Sequence, residues 1–116
     1  ILKISEVAKK YDLTTDTLRY YESFGLIDSV KKVSGIREYS DTDLERIEFI
    51  LCMKNAGLSL EEIKEFIGLA SQGDETIDKR VELLEKHKKS LEEEIKAKNS
   101  TLDYLNKKIK YYKEHQ

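Results

Sequence analysis

One polar segment near the amino terminus has the chemistry needed to bind a nucleic acid. Residues 14–22 read TTDTLRYYE and combine an arginine, several hydroxyl groups and two adjacent tyrosines. Arginine can donate two hydrogen bonds to a guanine edge, and threonine or tyrosine hydroxyls can bind phosphate oxygens. On a helix whose apolar side packs inward, the exposed side would carry Thr15, Arg19 and one or both of Tyr20 and Tyr21. The segment suits the major groove of DNA, although a surface helix with its aromatic rings in the core would fit too.

A second arginine–tyrosine pair occurs at Arg37 and Tyr39. Residues two apart on a strand share a face, so these side chains are expected to project together. Ser34 and Gly35 precede them as a tight-turn dipeptide between two short β-prone arms. Residues 30–39 are therefore predicted to form a β-hairpin wing.

The chain has one cysteine, Cys52, which excludes an intramolecular disulfide. With only two histidines beside it, a structural zinc site is not expected, and neither is a metal or other cofactor. Cys52 is expected in a semi-buried slot on its helix, between the main core face and Phe49. A small apolar filler and a reactive thiol both fit that position.

Composition limits the class of protein. The chain has 116 residues, of which 38% are charged, and a net charge of −2, so charge alone does not indicate DNA binding. No apolar run is long enough for a membrane span or a signal peptide. The single cysteine, which excludes a disulfide framework, predicts a reducing cytoplasmic location. No nucleophile–base pair, phosphate loop or metal cluster is recognisable, so an enzyme is not expected.

Cap and glycine signals predict four short helices around the wing. Residues 5–11 and 14–23 form the first two, with Ser5 and Thr14 as N-caps and Gly25 at the end of the second. The short turn between them makes a helix-turn-helix. Two more helices follow, from Ser40 to about residue 56 and from Ser59 to about residue 70. The fold class is mainly α, with a winged helix-turn-helix head at residues 1–73.

Residues 74–116 are predicted to form one coiled-coil dimerisation helix. Eleven positions from 77 to 112 alternate steps of four and three, and nine of them are apolar or aromatic. This repeat of 3.5 residues needs a partner helix, which favours a homodimer. The nine are Ile77, Val81, Leu84, Leu91, Ile95, Leu102, Leu105, Ile109 and Tyr112. Lys88 and Lys98 occupy the other two positions and can set register.

The sequence resembles the MerR family of transcription regulators along its whole length. The matching stretches, in the family order, are ISEVA at 4–8, TLRYYE at 17–22, GLI at 25–27, GIREY at 35–39 and KNAGLSLEEI at 54–63. The usual proline after GLI is absent, which leaves the path into the wing undefined. The resemblance implies an antiparallel dimer with two heads on a palindromic promoter site. It also implies bending and untwisting of that DNA, which serves RNA polymerase indirectly.

Residue roles follow from the same resemblance. Arg19 and Tyr20 match recognition-helix contacts to DNA, and Tyr21 matches a backbone contact. Arg37 and Tyr39 match the wing that grips flanking phosphates, and Lys54 matches a basic contact from the second helix pair. The segment CMKNAGLS at 52–59 is similar to the single-cysteine, AdhR/NmlR-like branch, in which this cysteine is associated with the response to aldehydes and other thiol-reactive stress.

Three other interpretations remain open from the residues. A regulator of the same family could sense a non-covalent small ligand, with Cys52 structural. A protein-interaction coiled coil would explain residues 74–116 equally well, but not Arg19, Tyr20 and the wing together. An enzyme has least support. Metal sensing and a large drug pocket are disfavoured because no such segment follows the long helix, unless the natural chain continues. Salt dependence would separate DNA binding from an apolar protein contact.

Overall fold

The computed structural model describes residues 1–116 and consists of a small head on one long helix. The head begins with a short strand, β1, and contains four helices and a hairpin. The elements are β1 Leu2–Lys3, α1 Ile4–Tyr11, α2 Thr15–Phe24, β2 Lys32–Val33, β3 Ile36–Tyr39, α3 Asp41–Asn55, α4 Leu60–Ser71, a 3-10 turn Asp74–Thr76 and α5 Ile77–Glu114. This order confirms the predicted fold class.

Local capping explains where three of the head helices begin. The Thr14 side chain accepts a hydrogen bond from the backbone N–H of Thr17, as predicted for the start of α2. Ser40 and Ser59 each form a reciprocal capping box with the acidic residue three positions later. The prediction for α1 is wrong: its N-cap is Lys3, whose backbone N–H donates to Glu6, so the helix starts before Ser5.

The wing is part of a three-stranded antiparallel sheet in the order β1-β3-β2. The hairpin turn follows the prediction, because Ser34 and Gly35 both adopt a positive φ, which a two-residue turn of this twist requires. Strand β1 is a component that the sequence analysis missed. It pairs Leu2 with Tyr39 and thereby ties the amino terminus to the wing.

A single apolar core holds the head together. Its twelve buried residues come from α1, α2, the wing and its approach, α3, the turn between α3 and α4, and α4: Val7, Ala8, Leu18, Tyr21, Leu26, Ile27, Val30, Tyr39, Ile47, Ile50, Leu58 and Ile63. Gly25, at φ 92°, ends α2 and turns the chain so that Leu26 and Ile27 enter this core.

The long helix α5 has no buried residue of its own. Its 38 residues extend for about 57 Å at 1.5 Å per residue. Eight of the nine predicted seam residues are between 39% and 62% exposed, and Leu91 is partly buried. We call these nine residues the apolar stripe of α5. A single chain leaves this stripe uncovered. No helix of the protein combines the length and apolar character needed to cross a bilayer.

Candidate nucleic-acid interface

The outer side of α2 presents a half-exposed guanidinium. Arg19 Nη1 donates to Asp16 Oδ1 at 3.1 Å and to Thr15 Oγ1 at 3.3 Å. The Arg19 side chain is 48% exposed and that of Asp16 is 92% exposed, so water screens this ion pair strongly. The two hydrogen bonds place the guanidinium above the helix surface, and because water screens them, releasing it to an external acceptor costs little.

Tyr20 stands beside Arg19 on the same exposed surface. Its ring is 50% exposed and stacks on Phe24, with the ring centroids 5.7 Å apart. Lys64 of α4 covers Phe24, with Nζ 4.8 Å from the ring centroid. The outer side of α2 thus includes Tyr20, oriented by its stacking on Phe24, and lies next to Lys64, which the sequence analysis did not single out. Lys64 lies far from α2 in sequence, so no local signal could have revealed it.

Tyr21 lies in the core rather than on the outer surface. The residue is 1% exposed, and its hydroxyl accepts a hydrogen bond from Lys54 Nζ at 3.3 Å. The inward side of α2 takes Leu18 and Tyr21, three residues apart, which leaves Arg19 and Tyr20 outside. The sequence analysis predicted that at least one of the two tyrosines is exposed, and the exposed one is Tyr20. The Tyr21 hydroxyl instead positions the ammonium group of Lys54, and Lys54 remains exposed.

Arg37 and Tyr39 share a face of β3, as expected, but that face is turned inward. Arg37 Nε donates to Glu22 Oε1 at 3.1 Å, and both side chains are less than a quarter exposed. Tyr39 is fully buried, and its hydroxyl has no hydrogen-bond partner. Burial, followed by the charge of Glu22, raises the pKa of the Tyr39 hydroxyl. The predicted phosphate contact of Tyr39 is therefore wrong for this conformation, because the packing of β3 on the core removes the Tyr39 hydroxyl from solvent.

The exposed cations of the wing are lysines. Lys31 and Lys32 precede the turn and are both exposed. Lys3, on the neighbouring strand, is paired with Glu38 at 3.1 Å. Two consecutive lysines before a Ser-Gly turn are a sequence signal that the sequence analysis did not use. These residues are better placed than Tyr39 to approach a phosphate.

The Cys52 thiol lies on the exposed surface of α3. The predicted semi-buried slot is wrong, because Ile47 and Ile50 take the inward side of the helix and leave Cys52 outside. Glu48, one turn earlier, is engaged elsewhere and accepts a hydrogen bond from the Tyr11 hydroxyl at 3.0 Å. Burial and this hydrogen bond raise the pKa of Tyr11.

A polar junction joins the head to α5. His87 of α5 and Glu62 of α4 lie 3.0 Å apart, and Glu62 also accepts from the backbone N–H of Ser59. The Ser59 hydrogen bond, followed by that of His87, holds the pKa of the Glu62 carboxyl below its ordinary value. The Thr76 hydroxyl donates to the Leu69 carbonyl at 2.6 Å. These contacts fix the direction in which α5 leaves the head.

No three or more His, Cys, Asp or Glu side chains are grouped so that they could hold a metal ion. The cavities of the single chain are shallow surface depressions rather than enclosed pockets. The outer side of α2 presents the hydrogen-bonding groups of Thr15, Asp16 and Arg19 together, and the wing carries the exposed Lys31 and Lys32.

Protein-family comparison matches nearly the whole chain. Residues 2–68 match the family described as MerR HTH family regulatory protein, and residues 44–107 match the one described as MerR, DNA binding. The HTH-type transcriptional regulator AdhR of Bacillus subtilis is 51% identical over 84 residues, which cover 72% of this chain and 60% of AdhR. An HTH-type transcriptional regulator of Haemophilus influenzae is 34% identical over 93% of this chain and 81% of its own length.

Solved structures share the whole architecture. HiNmlR, a MerR family regulator lacking the sensor domain and solved bound to promoter DNA, superposes with a TM-score of 0.82. It is 33% identical, and the alignment covers 97% of this chain and 90% of HiNmlR. A MerR family transcriptional regulator from Listeria monocytogenes also has a TM-score of 0.82, with 36% identity over 97% of this chain and 86% of its own. These relatives are transcriptional regulators rather than enzymes.

Proposed function

Because the chain belongs to the MerR family of helix-turn-helix transcription regulators, we propose that it binds a palindromic promoter site as a homodimer. The observation that carries this proposal is the outer side of α2, where Arg19 and Tyr20 stand half-exposed side by side. Each head would place α2 in a major groove, with the wing against the flanking backbone. AdhR is longer than the segment aligned here, so the activity of the whole protein is part of the proposal.

The proposed DNA contacts divide into direct and supporting residues. Arg19 reads a base edge, and Thr15 and Tyr20 hold the adjacent backbone. Lys54, oriented by the Tyr21 hydroxyl, binds phosphate. Arg37 is held by Glu22 and positions the wing, whereas the exposed wing lysines supply the phosphate contacts. Tyr39 acts only through its packing in the core.

Dimerisation is assigned to α5. We divide the chain into a DNA-binding head at residues 1–73 and a dimerisation helix at residues 74–116. Nine exposed or half-exposed apolar side chains along one side of a long helix require a partner, since the head leaves them in water. An antiparallel partner, as the family resemblance implies, would carry the two heads at opposite ends of the coiled coil. Such a dimer can bend and untwist the DNA between its half-sites, and RNA polymerase would respond to the altered promoter.

Cys52 is the proposed sensor of electrophilic or oxidative thiol stress. Two observations support it: the thiol is exposed on α3, and the aligned AdhR is 51% identical. With an aldehyde, the sulfur adds to the carbonyl carbon, the C=O π bond opens, and the carbonyl oxygen takes the proton that the thiol gives up, which gives a hemithioacetal. The alternative is a non-covalent ligand with Cys52 as a structural residue. Exposure argues against that alternative, because an exposed cysteine contributes little to packing.

A transcription assay with purified polymerase tests the regulator and the sensor separately. The template is the promoter beside the gene of this protein, and a small aldehyde is added or withheld. We expect aldehyde to raise transcript only with protein present, and Cys52→Ala to bind DNA normally but to lose the response. If the Cys52→Ala protein is still induced, the thiol is not the sensor. If the wild-type protein shows no salt-dependent promoter binding, the DNA-binding assignment fails as well.

A further inference from the structure

An apolar groove on the head lies between α3 and α4. It is lined by Arg46, Phe49, Phe66, Ile67 and Ala70 and has a volume of about 170 Å³. The two phenylalanine rings are tilted against each other, with their centroids 5.5 Å apart. All five lining residues are at least partly exposed. Within one chain, nothing fills this groove.

The groove opens on the same flank of the head as the apolar stripe of α5. On the opposite flank, Glu65 of α4 shares a depression with Lys79, Glu82 and Lys86 of α5. Phe66 is the residue after Glu65, so its side chain is rotated by about 100° around the axis of α4 and points away from that depression. The stripe likewise lies on the side of α5 away from those three residues. A second helix lying along the stripe would therefore pass beside the groove.

Two tyrosines near the end of α5 occupy an unusual side of the coiled coil. Tyr104 and Tyr111 lie outside the stripe, yet they are 60% and 54% exposed in the single chain. They follow Leu83 by three and four heptads, so they share its side of the helix. At Leu83 and His87 that side is covered by α4 of the same chain. At the two tyrosines it is bare.

In an antiparallel pair, the uncovered side of α5 at Tyr104 and Tyr111 lies next to the part of the partner's α5 that its own α4 covers. In such a pair, corresponding sides of two identical helices point the same way, whereas in a parallel pair they point in opposite ways. The register that puts Ile77 opposite the partner's Ile109 also puts Leu84 opposite the partner's Leu102. The partner's Tyr104 and the partner's Tyr111 then lie level with the first turns of α5.

The groove lies at that same level. Thr76 contacts Leu69, and His87 contacts Glu62, so α4 runs beside the first turns of α5 in the opposite direction. Phe66 and Ala70 fall between or next to these two contacts. The partner's tyrosines therefore lie at the height of the groove, on the side of the coiled coil that carries α4.

We propose that Tyr104 and Tyr111 of each protomer pack into the Phe49–Phe66 groove of the partner's head. This inference rests on the proposed antiparallel homodimer and adds a second contact to it, outside the seam. Aromatic side chains entering an apolar groove are the residues that most often dominate an interface. Arg46 lines one end of the groove, with its Nη1 donating to the Leu26 carbonyl at 3.3 Å. Because Phe49 belongs to α3, the partner's α5 would touch the helix that carries Cys52.

Site-specific cross-linking tests the contact in the full chain. In a Cys52→Ala background, an Ala70→Cys protein and a Tyr111→Cys protein carrying different affinity tags are mixed and treated with a short bismaleimide. We expect a covalent species containing both tags. The matched control replaces Ala70→Cys by Glu65→Cys, on the far flank of α4, and should give no such species. An Ile77→Cys and Ile109→Cys mixture reports the antiparallel seam.

The outcomes separate the docking from the dimer. If Ala70→Cys and Tyr111→Cys do not cross-link, the docking is overturned, whatever the seam reporter shows. A wild-type protein that sediments as a monomer overturns the dimer too. As a second measurement, the Tyr104→Ala/Tyr111→Ala protein should have a dimer dissociation constant at least about tenfold higher than wild type, a loss typical of aromatic anchors. Lys107→Ala/Glu114→Ala on the outer side should change it less than about twofold, and equal effects of the two double variants would contradict the docking.

Discussion

Tyr39→Phe separates a packing role of this tyrosine from a DNA-contact role. The Tyr39 hydroxyl is buried without a hydrogen-bond partner, so folding removes it from water with no compensating bond. Such a group costs about 1–3 kcal/mol. Removing the oxygen leaves a void of about 10 Å³, which costs about 0.2 kcal/mol. We therefore expect Tyr39→Phe to raise the free energy of unfolding by about 0.8–2.8 kcal/mol.

The expected rise in melting temperature is about 3–11 °C, since 1 kcal/mol shifts Tm by about 4 °C for a domain of this size. Thermal unfolding measured by circular dichroism would detect it, with all variants at one protein concentration because dimerisation makes Tm concentration-dependent. Tyr21→Phe is the matched control. It loses the hydrogen bond from Lys54, so it should be destabilised by about 0.5–1.5 kcal/mol.

Operator affinity is the second measurement on Tyr39→Phe, and it should equal that of wild type. A less stable Tyr39→Phe protein would show that the hydroxyl has a partner in solution, and the reasoning from burial would be refuted. A protein of higher or equal stability that loses operator affinity would show that the wing opens and puts the hydroxyl on DNA. That result would restore the role implied by the family resemblance.

Three further variants test the interface and the head. Arg19→Ala should weaken operator binding in fluorescence anisotropy at least about tenfold, as loss of a base-reading arginine does, while Lys110→Ala on the exposed far end of α5 should bind normally. Glu22→Ala strands the partly buried Arg37 and should lower the free energy of unfolding in urea by about 1–3 kcal/mol, against less than about 1 kcal/mol for Glu38→Ala at the more exposed Lys3 pair. The pKa of Glu62 is lowered in the folded protein, so its contribution is present above the ordinary value of 4.5 and is lost as pH falls through the lowered pKa. Glu62→Gln should therefore lose less Tm than wild type between about pH 5.5 and about pH 3, and an identical loss would contradict a role for the carboxylate.

A net charge of −2 is compatible with binding to DNA because of where the charges lie. Acidic side chains of the head serve local structure: Glu6, Asp43 and Glu62 accept hydrogen bonds at helix starts. Glu22 and Glu38 are paired with cations of the wing region. The overall sum therefore gives little information about the surface around α2, where Arg19 and the wing lysines stand outside the core.

Local interactions allowed much of the fold to be predicted from the sequence. Thr14, Ser40 and Ser59 cap helices through hydrogen bonds to residues three positions away, so a short stretch of sequence contains the whole interaction. The Ser34–Gly35 turn is similarly self-contained. The apolar stripe of α5 could be predicted because its 3.5-residue repeat lies within a single helix and involves no other part of the chain. The family resemblance rests on these same local motifs. Arg19 lies on the outer side of α2 as predicted, whereas the residues alone left open which of Tyr20 and Tyr21 is exposed.

The tertiary structure decided which face of each element is covered. Tyr21 and Tyr20 are neighbours of identical type, and only the packing of α2 on the core distinguishes them. Tyr39 is buried because β3 pairs with β1 and packs against the core. The residues that cover it come from both ends of the head sequence. Cys52 is exposed because Ile47 and Ile50 take the inward side of α3. Burial depends on neighbours distant in sequence, whereas caps and turns depend on residues a few positions away, and for that reason the sequence determined the elements and the packing assigned their roles.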